Sequence, residues 1–156
     1  KKVSEILFMG TYVVFFMYHM MLMNNTKYVW LVYIIAFGSD TFAYFTGKFF
    51  GKKKLCPEVS PNKTVEGAIG GIFGSTLLSL IYFNYLSINK YFYIIIFSIS
   101  TSIFSMAGDL TASKIKREYG IKDFGKLLPG HGGIMDRFDS VLFVAPAVYY
   151  FVLHFL

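Results

Sequence analysis

Five long apolar runs constrain this chain more than any other feature. They extend roughly from Ile6 to Met23, Tyr28 to Thr46, Val65 to Leu86, Tyr91 to Ala112 and Phe138 to Leu156. Each holds about 18–22 residues, and at ~1.5 Å per residue a helix of that length crosses a hydrocarbon core of ~30 Å. Lipid offers no partners for backbone N–H and C=O groups, so a single span must be helical to satisfy its own. The expected fold is all-α: a polytopic transmembrane helical bundle of about five spans. No internal repeat or low-complexity linker divides residues 1–156, which read as a single membrane domain.

Charge follows the same plan. Charged residues make up 15% of the 156, against ~25% in an average soluble domain. The net charge of +6 raises the question of nucleic acid. The cations, however, lie between apolar runs, and no polar surface carries the interleaved aromatics on which bases stack, so no nucleic-acid partner is expected. Eleven of the fifteen Lys and Arg residues fall in two long connections, Gly47 to Thr64 and Ser113 to Arg137. The short connections, Asn24 to Lys27 and Ser87 to Lys90, hold only Lys27 and Lys90. Basic loops stay on the cytoplasmic side, which places the N-terminus and both long connections there. Lys48, Lys52, Lys53 and Lys54 are suited to attract anionic lipid. Cys56 is the single cysteine, so no internal disulfide forms.

The acidic residues are placed unusually. Asp40 lies inside the second run, about two turns from its end, and Asp109 lies in the last turn of the fourth. Glu66 opens the third, and Asp136 and Asp139 open the fifth. Five carboxylates thus approach one face of the membrane. A carboxylate within a span is costly and marks a candidate functional site. The helix dipole alone favours Glu66, Asp136 and Asp139 at helix N-termini but disfavours Asp40 and Asp109 near C-termini. Asp136 and Asp139, three apart on a helix, share a face with Cβ atoms ~5–6 Å apart. Like charges so close call for a cation between them. Hard oxygen donors with basic neighbours suit Mg²⁺ carrying bound phosphate, and no Cys/His cluster suggests zinc.

The second long connection runs from Ser113 to Asp139. Pro129, Gly130, Gly132 and Gly133 break any continuous helix and let backbone N–H groups approach an anion at the entrance to the next helix. Lys116, Arg117, Lys122 and Arg137 surround that segment. His131, set between glycines, is a candidate phosphate contact. In the first connection, Ser60-Pro61-Asn62-Lys63-Thr64 reads as a turn entering the third helix, with Thr64 as its N-cap. Gly67, Gly70, Gly71 and Gly74 follow at a spacing typical of close helix packing.

Taken together, Ser113, Lys116-Arg117, Lys122-Asp123, Gly125, Leu128-Pro129, His131-Gly132-Gly133, Asp136-Arg137 and Asp139 resemble the signature of the phosphatidate cytidylyltransferases, or CDP-diacylglycerol synthases. Gly38-Ser39-Asp40 with Ala43-Tyr44 and Gly47-Lys48, the Ser60 to Thr64 stretch with Glu66-Gly67, and Gly108-Asp109-Leu110 are similar to other segments of that family. The resemblance implies a nucleotidyltransferase that joins CTP to phosphatidate, giving CDP-diacylglycerol and pyrophosphate in phospholipid biosynthesis. It implies dependence on Mg²⁺, alone or with a second cation, a multi-pass location in the bacterial cytoplasmic membrane with the site on the cytoplasmic side, and frequent homodimerisation.

Carried onto this chain, the resemblance makes Asp109, Asp136 and Asp139 the metal ligands, with Asp40 in second rank. Lys116, Arg117, Lys122 and Arg137 would hold phosphates beside Asp123. Ser60, Asn62, Lys63, Ser113, His131, Gly132 and Gly133 would contact nucleotide or lipid headgroup. Family members are longer, so the chain resembles a C-terminal catalytic portion, with upstream spans expected to complete the lipid site. Other readings fit less well. The spaced acidic motif of the CDP-alcohol phosphotransferases is absent, a transporter would gather its charges at the midplane, and a scaffold leaves Asp109 and the acidic pair unexplained.

Overall fold

The computed structural model describes residues 2–121, 123–125 and 135–156. Five helices account for most of them: α1 (Lys2–Leu22), α2 (Val29–Phe50), α3 (Val65–Tyr85), α4 (Tyr91–Glu118) and α5 (Met135–Phe155). Two short strands, β1 (Lys54–Cys56) and β2 (Ser60–Thr64), form an antiparallel hairpin between α2 and α3. Among the described residues, four helical stretches are long and apolar enough to cross a membrane: Val29–Phe50, Val65–Tyr85, Tyr91–Glu118 and Phe138–Phe155. A shorter apolar stretch, Val13–Leu22, lies in α1. The chain is a multi-pass membrane protein.

Contacts between helices set their directions. Gly67 lies against Ala43 and Gly71 against Ser39, so α2 and α3 are antiparallel. Gly71 also meets Met106, and the Ser75 hydroxyl bonds to that of Ser102 at 2.5 Å, which makes α4 antiparallel to α3. Gly108 lies against Phe143 and Phe97 stacks on Phe151, so α5 opposes α4. α1 runs parallel to α5, with Phe16 on Phe143 and His19 beside Tyr150. The hairpin and the α4–α5 connection therefore lie at one end of the bundle, as the distribution of cations requires.

The centre is apolar. Leu31, Val32 and Ile35 of α2, Phe83 of α3, Ile94 of α4 and Val144 and Val148 of α5 are fully buried. Trp30, Phe37, Ile69, Phe73, Ile103 and Phe104 are exposed. On a membrane-spanning bundle such residues face lipid, which satisfies them as a core would. Because lipid tails are as apolar as the helix surfaces, the bundle is held by close packing and interhelical polar contacts. The seam between α2 and α3 has no spare room: a Cβ on Gly71 would lie 2.7 Å from the Ser39 carbonyl oxygen, and one on Gly74 would lie 2.1 Å from Phe42 Cγ.

The ends of two helices differ from expectation. α2 continues to Phe50 and α4 to Glu118, a turn or more beyond the apolar runs. Apolarity reports where lipid ends, whereas a helix ends where its backbone is turned. α4 continues because Lys116 and Arg117 in its last turn complement the dipole, and the left-handed Gly120 (φ 67°) follows it. Its 28 residues span roughly 42 Å, so its last turns emerge from a ~30 Å core. Ser113, Lys116 and Arg117 are consequently helical and not part of a loop. Asp109 lies more than two turns before the helix end, and Asp40 nearly three, which weakens the case that the dipole alone makes them anomalous.

The Ser60 to Thr64 stretch is also a strand and not a simple turn, with Lys54 paired to Thr64 and Cys56 to Ser60. Thr64 is the N-cap of α3 as expected, its Oγ1 accepting from Gly67 N at 3.1 Å. Glu66 does more than favour the dipole. Its carboxylate accepts from Lys52 N at 3.0 Å and Lys53 N at 3.2 Å, tying the hairpin to the first turn of α3.

Gly71→Ala places a methyl against backbone that has nowhere to move. It is expected to lower stability by about 1–3 kcal/mol, whereas Gly10→Ala, with nothing within 4 Å of the added carbon, should leave it unchanged. Reversible unfolding in mixed micelles measures both, and equal stability of the two variants would contradict the close α2–α3 seam.

Candidate active site

Three side chains on one face of α4 form the spine of the site. Asp109, Ser113 and Lys116 are four and then three residues apart, the spacing that stacks side chains along a helix. Ser113 Oγ lies 3.4 Å from Asp109 Oδ1. Lys63 arrives from β2 and forms a salt bridge with Asp109 Oδ2. The pair joins the hairpin to α4 in a half-buried position.

Lys116 is buried at 8% exposure and donates to Asp136 Oδ1 at 2.8 Å. Its ammonium lies 3.9 Å from Asp139 Oδ2 and 5.2 Å from the centre of the Phe124 ring. The Lys116 ammonium thus stands beside both Asp136 and Asp139. Asp136 is held on both sides, since its Oδ2 accepts from Phe124 N at 2.9 Å. It ties the α4–α5 connection to the first turn of α5.

Asp139 is buried, and its Oδ1 accepts from Ser140 N at 2.8 Å. Ser140 Oγ donates to Asp40 Oδ2 on α2 at 2.9 Å. Asp40 and Asp139 each lie within electrostatic reach of Asp109 and of each other. Three helices therefore bring Asp40, Asp109 and Asp139 together, while Asp136 stands to one side with Lys116. Among the described residues, four carboxylates face two ammonium groups, which leaves this cluster acidic within an otherwise basic end of the bundle.

The other sequence candidates are distributed unevenly. Asn62 is exposed on β2 and Ser60 is half-buried there. Asp123 is exposed, and the exposed Arg117 has Nη1 at 3.5 Å from the Ile121 carbonyl, turned to the end of its own helix and away from the carboxylates. Arg137 lies in the first turn of α5, but its side chain is outside the described residues, as are Lys122, His131, Gly132 and Gly133. Ser140 was not anticipated. Its only signal is adjacency to Asp139 on a face that turns out to be buried. Lys63 was anticipated as a substrate contact; its pairing with Asp109 spans 46 residues and has no local signature.

An all-oxygen donor set fits a hard cation such as Mg²⁺. Among the described residues, no three acidic, Cys or His side chains already form a ligand set. Lysines stand among the carboxylates instead. By chemistry and position the fit is to Asp109 and Asp139, with Asp40 adjacent. Asp136, the third expected ligand, has its Oδ1 on Lys116 and its Oδ2 on Phe124 N.

A family model described as "Cytidylyltransferase family" matches residues 1–155. The chain belongs to that family. It is 46% identical over 124 residues to the phosphatidate cytidylyltransferase of Bacillus subtilis strain 168, covering 79% of this chain and 46% of that protein. The corresponding protein of Staphylococcus aureus strain COL is 44% identical over 124 residues, with 79% and 48% covered. The chain thus spans about half the length of the curated relatives it matches. A solved structure reported as an intramembrane enzyme for archaeal membrane lipid biosynthesis aligns with a TM-score of 0.51 at 22% identity, covering 76% of each chain. That likeness supports the helical membrane fold.

Replacing Lys116 with Met would leave two neighbouring carboxylates without their shared counter-ion. Breaking a buried pair typically costs about 3–5 kcal/mol. Lys116→Met should therefore lower stability by that order, and adding Asp136→Asn should restore part of it. A double variant no more stable than Lys116→Met would show that the pair carries no such charge balance.

Proposed function

We propose that this chain carries the nucleotide end of a phosphatidate cytidylyltransferase, which forms CDP-diacylglycerol and pyrophosphate from CTP and phosphatidate. An oxygen of the lipid phosphate attacks the α-phosphorus of CTP. The bond from that phosphorus to the bridging oxygen breaks, and pyrophosphate leaves with the electron pair. The supporting observation is the meeting of Asp40, Asp109 and Asp139 from three helices at the basic end of a membrane bundle, with Lys63 and Lys116 among them. Family membership narrows what such a site would do.

Mg²⁺ held by Asp109 and Asp139, with Asp40 beside them, would neutralise charge on the triphosphate and on the departing pyrophosphate. A second cation has room in the same acidic cluster by charge alone. Lys63 and Lys116, released from their carboxylates as a cation takes their place, would turn to phosphate oxygens. The protein then acts mainly by positioning the two phosphates and stabilising charge, which is what phosphoryl chemistry demands. Lys122, Arg137, His131, Gly132 and Gly133 are candidates to contact nucleotide or headgroup phosphate, and the lysine-rich hairpin would face anionic headgroups. The cations at this end support a cytoplasmic orientation, where CTP is found.

The assay is conversion of labelled CTP in phosphatidate-containing nanodiscs with Mg²⁺, followed as CDP-lipid and pyrophosphate. Asp139→Asn keeps the shape of the side chain and removes its charge. It should reduce turnover by about 10²–10³-fold, the usual cost of losing a transition-state electrostatic partner. Turnover by Asp139→Asn equal to that of the unsubstituted protein would remove this residue from the site.

A further inference from the structure

Several serines and threonines elsewhere in the helices return their hydroxyl to the carbonyl one turn back, while the buried hydroxyls of Ser39, Ser98, Thr101 and Ser105 have no partner among the described residues. Ser79 bonds to the Ser75 carbonyl, Ser100 to that of Ile96, Ser102 to that of Ser98 and Thr111 to that of Ala107. This is the default for a helical hydroxyl in an apolar setting. Ser140 departs from it. Its Oγ reaches Asp40 Oδ2 at 2.9 Å on α2, a hundred residues away, while its own N–H holds Asp139 Oδ1 at 2.8 Å. Only 1% of Ser140 is exposed, while Asp40 is exposed and the bond between them is part-buried. One small residue therefore clasps two like-charged carboxylates from different helices and leaves the second oxygen of each outside the clasp.

Two carboxylates held side by side need positive charge near them; Lys116, 3.9 Å from Asp139 Oδ2, and Lys63, within electrostatic reach of Asp40, supply part of it. We infer that Ser140 is a positioning residue that fixes Asp40 against Asp139 so that the pair, together with Asp109, receives a divalent cation. The inference rests on the proposed cation site and deepens it. It also gives Asp40 a definite place: the carboxylate on α2 becomes part of the site through Ser140. Partners that orient ligating carboxylates commonly change cation affinity by 10–100-fold when removed.

The test is a Mn²⁺ titration followed by electron paramagnetic resonance on the protein in nanodiscs without substrate, comparing the unsubstituted chain with Ser140→Ala, Asp40→Asn and the double variant. Thermal unfolding is followed in parallel. Ser140→Ala should weaken Mn²⁺ binding at least tenfold at an unchanged melting temperature, Ser140→Thr should recover part of the affinity, and the double variant should bind no more weakly than Asp40→Asn alone. Affinity of Ser140→Ala equal to the unsubstituted chain, a fall matched by a lower melting temperature, or losses that simply add in the double variant would each overturn the positioning role. Failure of the unsubstituted chain to bind Mn²⁺ would instead overturn the cation site itself, and this inference with it.

Discussion

The ion pairs Lys63–Asp109 and Lys116–Asp136 fasten the hairpin and the start of α5 to one face of α4. The first fastens a two-stranded hairpin to the C-terminal half of α4. The second fastens the entrance of α5, and through Phe124 N the connection before it, to the same helix. A charge next to hydrocarbon must be paired or hydrated, so these residues cannot be arranged independently. Once α4 carries Asp109 and Lys116 on one face, the hairpin and α5 must bring partners. The site is what that requirement assembles. The same pairing makes it responsive, because a stronger cation or a phosphate can displace either member of a pair without leaving the other alone.

The apolar part of the bundle serves this arrangement by being tight. Gly71 and Gly74 let α3 lie directly against α2, which carries Asp40, and the Ser75–Ser102 bond ties α3 to α4, which carries Asp109. Gly108, next to Asp109, lets α4 approach Phe143 and the Asp139 carbonyl on α5. Small residues therefore set the distances between helices one or two turns from the carboxylates. Looser packing at those glycines would spread Asp40, Asp109 and Asp139 apart before it exposed any apolar surface.

Much of the fold was legible because lipid imposes a length and a composition on every span. The five apolar runs match five helices, and the asymmetry of lysines and arginines anticipated that both long connections share one end. The ends of α2 and α4 were not legible from hydropathy, since Ser113, Lys116 and Arg117 continue a helix after it leaves the core. The hairpin was missed because its strands are short and largely exposed, with Pro57 just after the first and Pro61 inside the second, so no alternation marks them. In the site, Asp40 and Asp109 stood out as carboxylates within apolar runs, and Asp136 and Asp139 by their spacing. Ser140 did not, for a serine in a span is usually satisfied by its own backbone. The separate roles of Asp136 and Asp139 were hidden as well. Their spacing announces a shared cation, but only tertiary structure reveals that Lys116 already sits there and that Phe124 occupies the second oxygen of Asp136.

The central claim is that this acidic cluster at the end of the bundle receives a nucleotide triphosphate together with a divalent cation. Equilibrium binding of labelled CTP to the protein in nanodiscs, measured with Mg²⁺ and again with Mg²⁺ chelated, addresses it without depending on turnover. A cluster of Asp40, Asp109 and Asp139 repels a bare triphosphate and accepts one whose charge is bridged by a cation, so binding should weaken at least tenfold when Mg²⁺ is removed. CTP binding of equal strength in chelator would contradict the account, because it would mean that the lysines alone hold the nucleotide and that the carboxylates serve another purpose.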